Sequence, residues 1–174
     1  FHTGDPIDLL RSRRSNVTEP YFTSIPTEER FAVKYLISDM YNPYISYVEK
    51  YFPNAISVVD SFHVIQWITR MIDNYIRQLL KKFRQREYQE KLSLEQQVPV
   101  SLPPSDEVYL LQKYRWLILC NQSNIRYHTD PRMDPHFHAL MNTYDYEDAL
   151  FRIDYKLKEF RDLKELYLQF NARN

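Results

Sequence analysis

Residues 33 to 67 read "VKYLISDMYNPYISYVEKYFPNAISVVDSFHVIQW", and this stretch decides the predicted fold. Two runs of apolar, β-branched residues, 33–38 and 55–59, have the length of β-strands, and an aspartate directly follows each of them. Between the runs, residues 42–52 place apolar side chains at helical spacing behind a proline near the helix start. Strand, helix and strand joined by short links make a βαβ unit, so we expect two parallel strands.

Asp39 and Asp60 follow the two predicted strands and are the first candidates for a functional site. The carboxyl ends of neighbouring parallel strands meet at one edge of a sheet, where open α/β sheets bind their ligands. Carboxylates on strands about 4.8 Å apart repel each other, and a divalent cation with oxygen ligands relieves that repulsion. His63 lies in the first turn of the next predicted helix, within reach of the same edge. Alternatively, Asp60 only caps that helix and His63 packs against the sheet.

A long amphipathic helix is predicted from residue 62 to residue 89. Apolar side chains recur every three or four residues along one side of it, from Phe62 to Phe83. Its last turns carry a basic cluster, which either neutralises DNA phosphates or consists of solvated cations that interact favourably with the helix dipole. The cluster consists of Arg77, Lys81, Lys82, Arg84 and Arg86.

The remainder of the chain is predicted to be helix and loop. Prolines within residues 91–105 indicate a loop, and helices are expected at 106–121, 137–144 and 146–171. We therefore divide the chain into an α/β region, residues 1–62, and an all-helical region, residues 63–174.

The segment "HTDPRMDPHFH", residues 128–138, is rich in residue types that bind metals. Two prolines interrupt it, and His136 and His138 would point in different directions on a helix. A metal site and an ordinary structural role are therefore both compatible with this segment.

Composition excludes several classes of protein. The chain has 174 residues, 44% of them apolar, and its 23 basic residues balance 23 acidic ones. A single glycine, Gly4, argues against phosphate-binding loops and dinucleotide folds, which need several glycines.

A single cysteine, Cys120, excludes an intrachain disulfide and is expected in the core. No apolar run reaches the roughly 18 to 20 residues of a membrane span, so we expect a soluble, cytoplasmic protein.

The motifs "SDMYNPYI", "FPNA" and "VVDSFHV" occur in this order along the chain. Their order and spacing closely resemble the catalytic core of bacterial DDE insertion-sequence transposases of the ISL-three group. Weaker similarity extends upstream through residues 8–30 and downstream through residues 109–121. The resemblance implies a helix-rich α/β protein, namely a partial RNase H-like fold with few parallel strands and a large all-helical insertion.

By this resemblance, Asp39 matches the second of three catalytic residues, Asp, Asp and Glu, which together bind two divalent ions, Mg²⁺ or Mn²⁺. Asp60 and His63 match an Asp-x-x-His signature of related transposase groups. The role of the first aspartate is not carried over to Asp5 or Asp8, and the sequence context of the glutamate does not occur in this chain. The resemblance thus implies an internal piece of a catalytic domain, which we expect to be inactive and without bound ions when isolated.

The resemblance also implies a substrate, partners and a location. The substrate is double-stranded DNA, both transposon ends and target, which is cleaved and joined by phosphoryl transfer. The active complex is expected to be a homo-oligomer at the bacterial nucleoid, with no membrane partner. A second class of function stays open, in which the helices form an interaction or dimerisation module without catalytic activity.

Overall fold

The computed structural model describes residues 8–95 and 103–172. The chain divides into two compact units, residues 1–64 and 65–174. Within the described residues the structure is rich in helix and has few strands, which agrees with the predicted helix-rich α/β class. The predicted domain boundary after residue 62 lies two residues before this division and stays a prediction.

The first unit contains the predicted βαβ arrangement. Its two strands pair in parallel, with Tyr35 opposite Ile56 and Ser38 opposite Val59. The predicted strand, helix and strand are therefore confirmed to within two residues at each end. The elements are α1 (Ser15–Ser24), α2 (Thr27–Ala32), β1 (Tyr35–Ser38), α3 (Asn42–Tyr51) and β2 (Ile56–Val59).

Aromatic side chains form the core of the first unit. Tyr47, Tyr51 and Phe52, in and directly after α3, are each less than 7% exposed. Phe22 of α1 packs edge-on against Tyr47 and Phe52, with ring centroids 5.3 and 5.4 Å apart. The hydroxyls of Thr18 and Tyr47 are 2.8 Å apart, so the buried tyrosine oxygen has a hydrogen-bond partner. These contacts fix α1 and α3 against each other.

One face of the sheet in the first unit is apolar and open. Tyr35, Ile37 and Ile56 alternate to the same side of β1 and β2, and each is more than 60% exposed. A two-stranded sheet is only marginally stable by itself in water. This apolar face is therefore suitable for packing against further protein structure.

The second unit is dominated by α4 (Ser61–Glu95), whose first four residues belong to the first unit. The predicted apolar stripe of this helix is buried from Ile72 to Phe83, whereas Phe62 at its start is 59% exposed. The elements that follow are α5 (Asp106–Lys113), α6 (Trp116–Leu119), a 3-10 turn (Gln122–Asn124), β3 (Arg132–Asp134), β4 (Ala139–Met141), α7 (Thr143–Ile153) and α8 (Tyr155–Ala172).

The prediction that residues 63–174 are all-helical is wrong at one place. Residues 137–144 were expected to form a helix, but β4 lies there and pairs with β3, in the segment before it, as an antiparallel hairpin. Asp134 Oδ1 accepts the backbone N–H groups of His136 and Phe137 at 2.8 and 3.1 Å, and these bonds stabilise a turn instead of a helix. His138 has a positive φ of 50°, which ends the turn and starts β4.

Three helix boundaries also differ from the prediction. α4 continues to Glu95, since neither glycine nor proline interrupts it before Pro99. The helix expected at 106–121 breaks after Lys113, which allows both Leu117 and Ile118 to be fully buried. The helix expected at 146–171 divides at Asp154, whose Oδ1 accepts the backbone N–H of Lys156 and caps α8. Cys120, expected in the core, is exposed.

A buried carboxylate holds the hairpin onto the helices. Asp134 is 2% exposed, and its Oδ2 accepts the hydroxyls of Tyr109, Tyr146 and Tyr114 at 2.8, 2.7 and 3.4 Å. Burial alone would raise its pKa, but the bonds from Tyr146, Tyr109 and two backbone N–H groups outweigh burial and hold the pKa well below its usual range. Asp134 therefore has a structural role as an ionised carboxylate.

A buried amine closes the end of α6. Lys164 is 0% exposed, and its Nζ donates to the carbonyls of Ile118 and Leu119 at 3.0 Å and to that of Cys120. These carbonyls lie at the end of α6, where no further helical turn supplies donors for them. Burial lowers the pKa of Lys164, although the nearby carboxylate of Glu165 opposes that shift.

We predict that Asp134→Asn lowers the free energy of unfolding at pH 7 by about 3 kcal/mol, because the amide has one acceptor oxygen where the carboxylate has two, so some of the buried donors lose their acceptor. Since the pKa of Asp134 is depressed in the folded state, its stabilisation is present above the ordinary pKa of 3.8 and is lost as the pH falls further. The difference between wild type and variant should therefore shrink below about pH 4. Urea denaturation of wild type and variant at pH 7 and below about pH 4 measures this difference in the free energy of unfolding. Asp130→Asn, at an exposed aspartate, is the control. A difference that is independent of pH would contradict the assignment.

Candidate active site

The two predicted aspartates lie at the same edge of the β1–β2 sheet. Ser38 and Val59 are the last paired residues, and Asp39 and Asp60 each follow directly. The backbone N–H of Asp60 donates to the carbonyl of Ser38 at 2.9 Å, so the pairing continues past the end of β2. The parallel register therefore places both carboxyl-bearing residues side by side at the carboxyl ends of the strands.

The Asp39 carboxylate is half-buried in the turn between β1 and α3. Its Oδ1 accepts the backbone N–H of Tyr41 at 3.1 Å, which orients the side chain just before α3 begins at Asn42. Among the described residues, none donates a hydrogen bond to Oδ2 and no basic side chain pairs with this carboxylate. One oxygen of Asp39 is thus available to an external cation.

Asp60 is the cap of α4. Its Oδ1 accepts the backbone N–H of Phe62 at 2.9 Å, and its carbonyl accepts that of His63 at 3.0 Å. The capping interpretation of Asp60 therefore accounts for one of its two carboxylate oxygens. The side chain is still 43% exposed, so its Oδ2 faces solvent or a ligand.

His63 lies beside Asp60 in the first turn of α4. Its Nε2 is 3.9 Å from Asp60 Oδ2, which is longer than a hydrogen bond, and its side chain is 40% exposed. The ring packs edge-on against Phe62 at 5.8 Å. His63 is therefore close enough to act on a group bound at this edge, and it is not buried against the sheet.

Carboxylate oxygens are the ligands that Mg²⁺ and Mn²⁺ prefer, so the chemistry of this edge fits a divalent ion. Within residues 8–95 and 103–172, however, no three His, Cys, Asp or Glu side chains are grouped closely enough to hold a metal ion. The edge therefore supplies part of a metal-binding set. Residues 128–138, all of them described, likewise form no such group, since Asp134 accepts hydrogen bonds from the tyrosines and His136 stacks on Tyr109 at 4.1 Å.

The basic cluster of α4 is divided between two sides of the helix. Arg77, Lys81 and Arg84 line a groove of about 550 Å³ together with Leu80 of the same helix. Lys82 does not line this groove. Arg86 instead donates to Glu107 Oε1 at 2.8 Å.

Gln112 and Arg115 complete the groove and were missed in the sequence. Arg115 lies in the break between α5 and α6, and its Nη1 is 3.5 Å from Asp73 Oδ1. Arg77 pairs with the other oxygen of Asp73 at 2.7 Å, so one carboxylate of α4 positions both guanidinium groups. Only the Asp73–Arg77 spacing was visible in the sequence, as an i,i+4 pair.

Comparison with known protein families finds a model that matches almost the whole chain. The model of the DDE transposase family of the ISL-three group (ISL3), described as Transposase, matches residues 1–171. The chain belongs to this transposase family. No curated protein and no solved structure matches it.

Membership of this transposase family confirms the resemblance seen in the sequence. The match covers both compact units, from the sheet edge with Asp39 to α8. The roles of Asp39, Asp60, His63 and the basic residues of α4 in a transposase remain predictions. Among the described residues, no helix is long and apolar enough to cross a membrane.

We predict that Asp60→Ala lowers the free energy of unfolding by about 1 kcal/mol, because the first turn of α4 loses its side-chain acceptor. Asp60→Asn keeps an oxygen at the capping position and serves as the matched control, with an expected loss of less than about 0.5 kcal/mol. Chemical denaturation of the two variants measures the difference. Equal stability of Asp60→Ala and Asp60→Asn would show that the cap contributes nothing.

Proposed function

We propose that this chain contributes one catalytic carboxylate to a DDE transposase that cleaves DNA strands and joins them to a target. Family membership supports the reaction class. The observation that carries the residue assignment is the position of Asp39 at the carboxyl edge of a parallel strand, with Oδ2 unpaired among the described residues. This is the edge where open α/β sheets bind their ligands.

Asp39 is proposed to bind Mg²⁺ or Mn²⁺ directly through its carboxylate. When bound, two such ions activate the attacking oxygen and stabilise the leaving oxygen in phosphoryl transfer. The residues of this chain have a separate task, which is to hold the Asp39 carboxylate in place. The N–H of Tyr41 fixes one oxygen, and the strand pairing of Ser38 fixes the backbone before it.

Asp60 and His63 are proposed to position groups that bind at this edge, whereas direct binding of the metal ion is proposed for Asp39. Asp60 Oδ1 is occupied by the cap of α4, which leaves Oδ2 to polarise or orient a neighbouring group. His63 Nε2, 3.9 Å from that oxygen, is placed to hydrogen-bond with it after a small side-chain rotation. The pair would thereby restrict the position of whatever binds next to Asp39.

The catalytic glutamate of the family is not assigned to Glu147 or Glu165, the acidic residues of α7 and α8 that are engaged in hydrogen bonds and ion pairs within the second unit. Glu147 is 8% exposed and accepts from Tyr127 at 2.5 Å and from Arg161. Glu165 accepts the backbone N–H of Gln122 at 3.0 Å and pairs with Lys164. These carboxylates are used in packing the second unit, so we propose that this chain by itself has no turnover.

An RNase H-like fold is proposed for the complete catalytic domain. Its support is the open apolar face of β1 and β2, where Tyr35, Ile37 and Ile56 are more than 60% exposed. A larger sheet and its covering helices would bury these side chains, each of which contributes about 1.5–3 kcal/mol when fully buried.

A function as an interaction module is favoured by one observation in the second unit. Trp67 and Met71 of α4 and Leu163 of α8 are each about half exposed and line an apolar cavity of about 550 Å³. Such a surface suits protein contact. It is compatible with the proposed homo-oligomeric complex that acts on DNA in the bacterial nucleoid, so the two functions need not exclude each other.

We predict that Asp39→Asn in the full-length transposase lowers the rate of metal-dependent plasmid nicking by about 1,000-fold, equivalent to about 4 kcal/mol of lost transition-state stabilisation. The amide is nearly the same size as the carboxylate but carries no charge to bind the ion. Glu49→Gln removes one charge from the exposed side of α3 in the same unit and is the matched control. Nicking by Asp39→Asn at the wild-type rate would refute the catalytic assignment.

A further inference from the structure

The groove lined by Arg77, Lys81, Arg84 and Arg115 concentrates positive charge in the second unit. Four cations surround it, and the carboxylate that faces them, Asp73, compensates only one of those charges. Asp73 is 20% exposed and contacts Arg77 and Arg115, but neither Lys81 nor Arg84. An uncompensated cluster of this kind is stabilised by a bound anion.

The helix dipole does not explain these cations. Its influence is limited to the last turn of a helix, and α4 ends at Glu95, eleven residues after Arg84. Nor do ion pairs along the helix explain Lys81 and Arg84, since of the three cations of α4 in the groove only Arg77 has such a pair, with Asp73. The residues four positions before and after Lys81 are Arg77 and Gln85, and those around Arg84 are Leu80 and Tyr88.

The geometry of the groove matches a nucleic-acid backbone. Arg77, Lys81 and Arg84 follow one side of α4 over about 10 Å, at 1.5 Å per residue. This length corresponds to about three phosphates along one strand of duplex DNA. Arg115 lies on the second wall of the groove, on a different segment of the chain, and Gln112 adds an amide donor beside it.

We propose that this groove binds the phosphate backbone of DNA, with Arg77, Lys81, Arg84 and Arg115 as the contacts and with Lys82 and Arg86 outside the site. The proposal rests on the proposed function for the identity of the anion, since a transposase acts on DNA. Arg86 is excluded because it is engaged with Glu107. Phosphate contacts do not read sequence, so binding here is independent of the DNA sequence and strongly dependent on salt.

Asp73 is proposed as a positioning residue. Its Oδ2 accepts a hydrogen bond from Arg77 and its Oδ1 forms an ion pair, without a hydrogen bond, with Arg115 at 3.5 Å, which brings together guanidinium groups that would otherwise repel each other. Each guanidinium has five N–H donors, so donors remain for a phosphate after the contact with Asp73. The groove is thus preorganised before DNA arrives, which lowers the entropic cost of binding.

The test is DNA binding by full-length transposase carrying Lys81→Gln and Arg84→Gln together, measured across a salt series. Both side chains are exposed, so the fold is expected to be preserved, and a thermal melt checks this. Loss of two phosphate contacts lowers the steepness of log K against log salt by about 1.8. Raising the salt from about 50 to 200 mM then weakens binding by a factor that is about 12 times smaller for the double variant than for the wild type.

Lys82→Gln is the matched control, because it removes the same charge from the next residue of the same helix, outside the groove. We expect its salt dependence to equal that of the wild type. Arg115→Gln, on the other wall, should lower the steepness by about 0.9 by itself. The effect should be equal on a duplex with transposon ends and on an unrelated duplex.

Two outcomes would overturn the proposal. One is a double variant whose salt dependence equals that of Lys82→Gln, and the other is a loss of affinity confined to one DNA sequence. Failure of the proposed function is distinguishable from failure of this proposal, because the proposed function is tested separately by plasmid nicking with Asp39→Asn. That variant is expected to keep the full salt dependence of DNA binding, whether or not its catalytic assignment is correct.

Discussion

The parallel pairing of β1 with β2 is the constraint on which the candidate site depends. Because Ser38 is opposite Val59, the next residue on each strand is an aspartate at the same edge. A shift of the register by one residue would turn every side chain of one strand to the opposite face and separate the two carboxylates. Burial against α3 opposes such a shift, since Leu36 packs against the aromatic cluster while Tyr35 and Ile37 point away from it.

Buried polar groups determine the arrangement of the second unit. Asp134 joins the hairpin to α5 and α7 through tyrosine hydroxyls, and Lys164 joins α8 to the end of α6. Each buried charge has several hydrogen-bond partners, and without them its burial would cost several kcal/mol. The partners come from distant segments, so the charges also select one arrangement of the helices over others that bury similar apolar area.

The sequence predicted the βαβ unit well because local and tertiary preferences agree there. The strands are short continuous apolar runs, whereas in α3 and α4 the apolar residues recur every three or four positions, and aspartates mark both strand ends. Prediction failed where a distant contact overrides local preference. The turn at Asp134, the break after Lys113 and the cap at Asp154 each satisfy partners that are remote in sequence, such as Tyr75, whose hydroxyl donates to Asp154 Oδ2 at 2.7 Å.

In the candidate sites too, the sequence predicted the residues that local structure places and missed those that depend on distant contacts. Asp39 and Asp60 were found because a strand fixes where its last side chain emerges. Arg115 was missed because its place beside Arg77 depends on the break between α5 and α6 and on the shared contact with Asp73. The basic cluster predicted from the sequence of α4 therefore included Lys82 and Arg86. In the structure, neither residue lines the groove.

The most direct test of the central claim, that the edge of β1 presents Asp39 to a divalent ion, is anomalous diffraction from crystals of the full-length transposase with Mn²⁺ and DNA. The account predicts a manganese peak about 2.0–2.5 Å from a carboxylate oxygen of Asp39, at the edge shared with Asp60. A manganese site formed by other carboxylates, with Asp39 pointing away from it, would contradict the account.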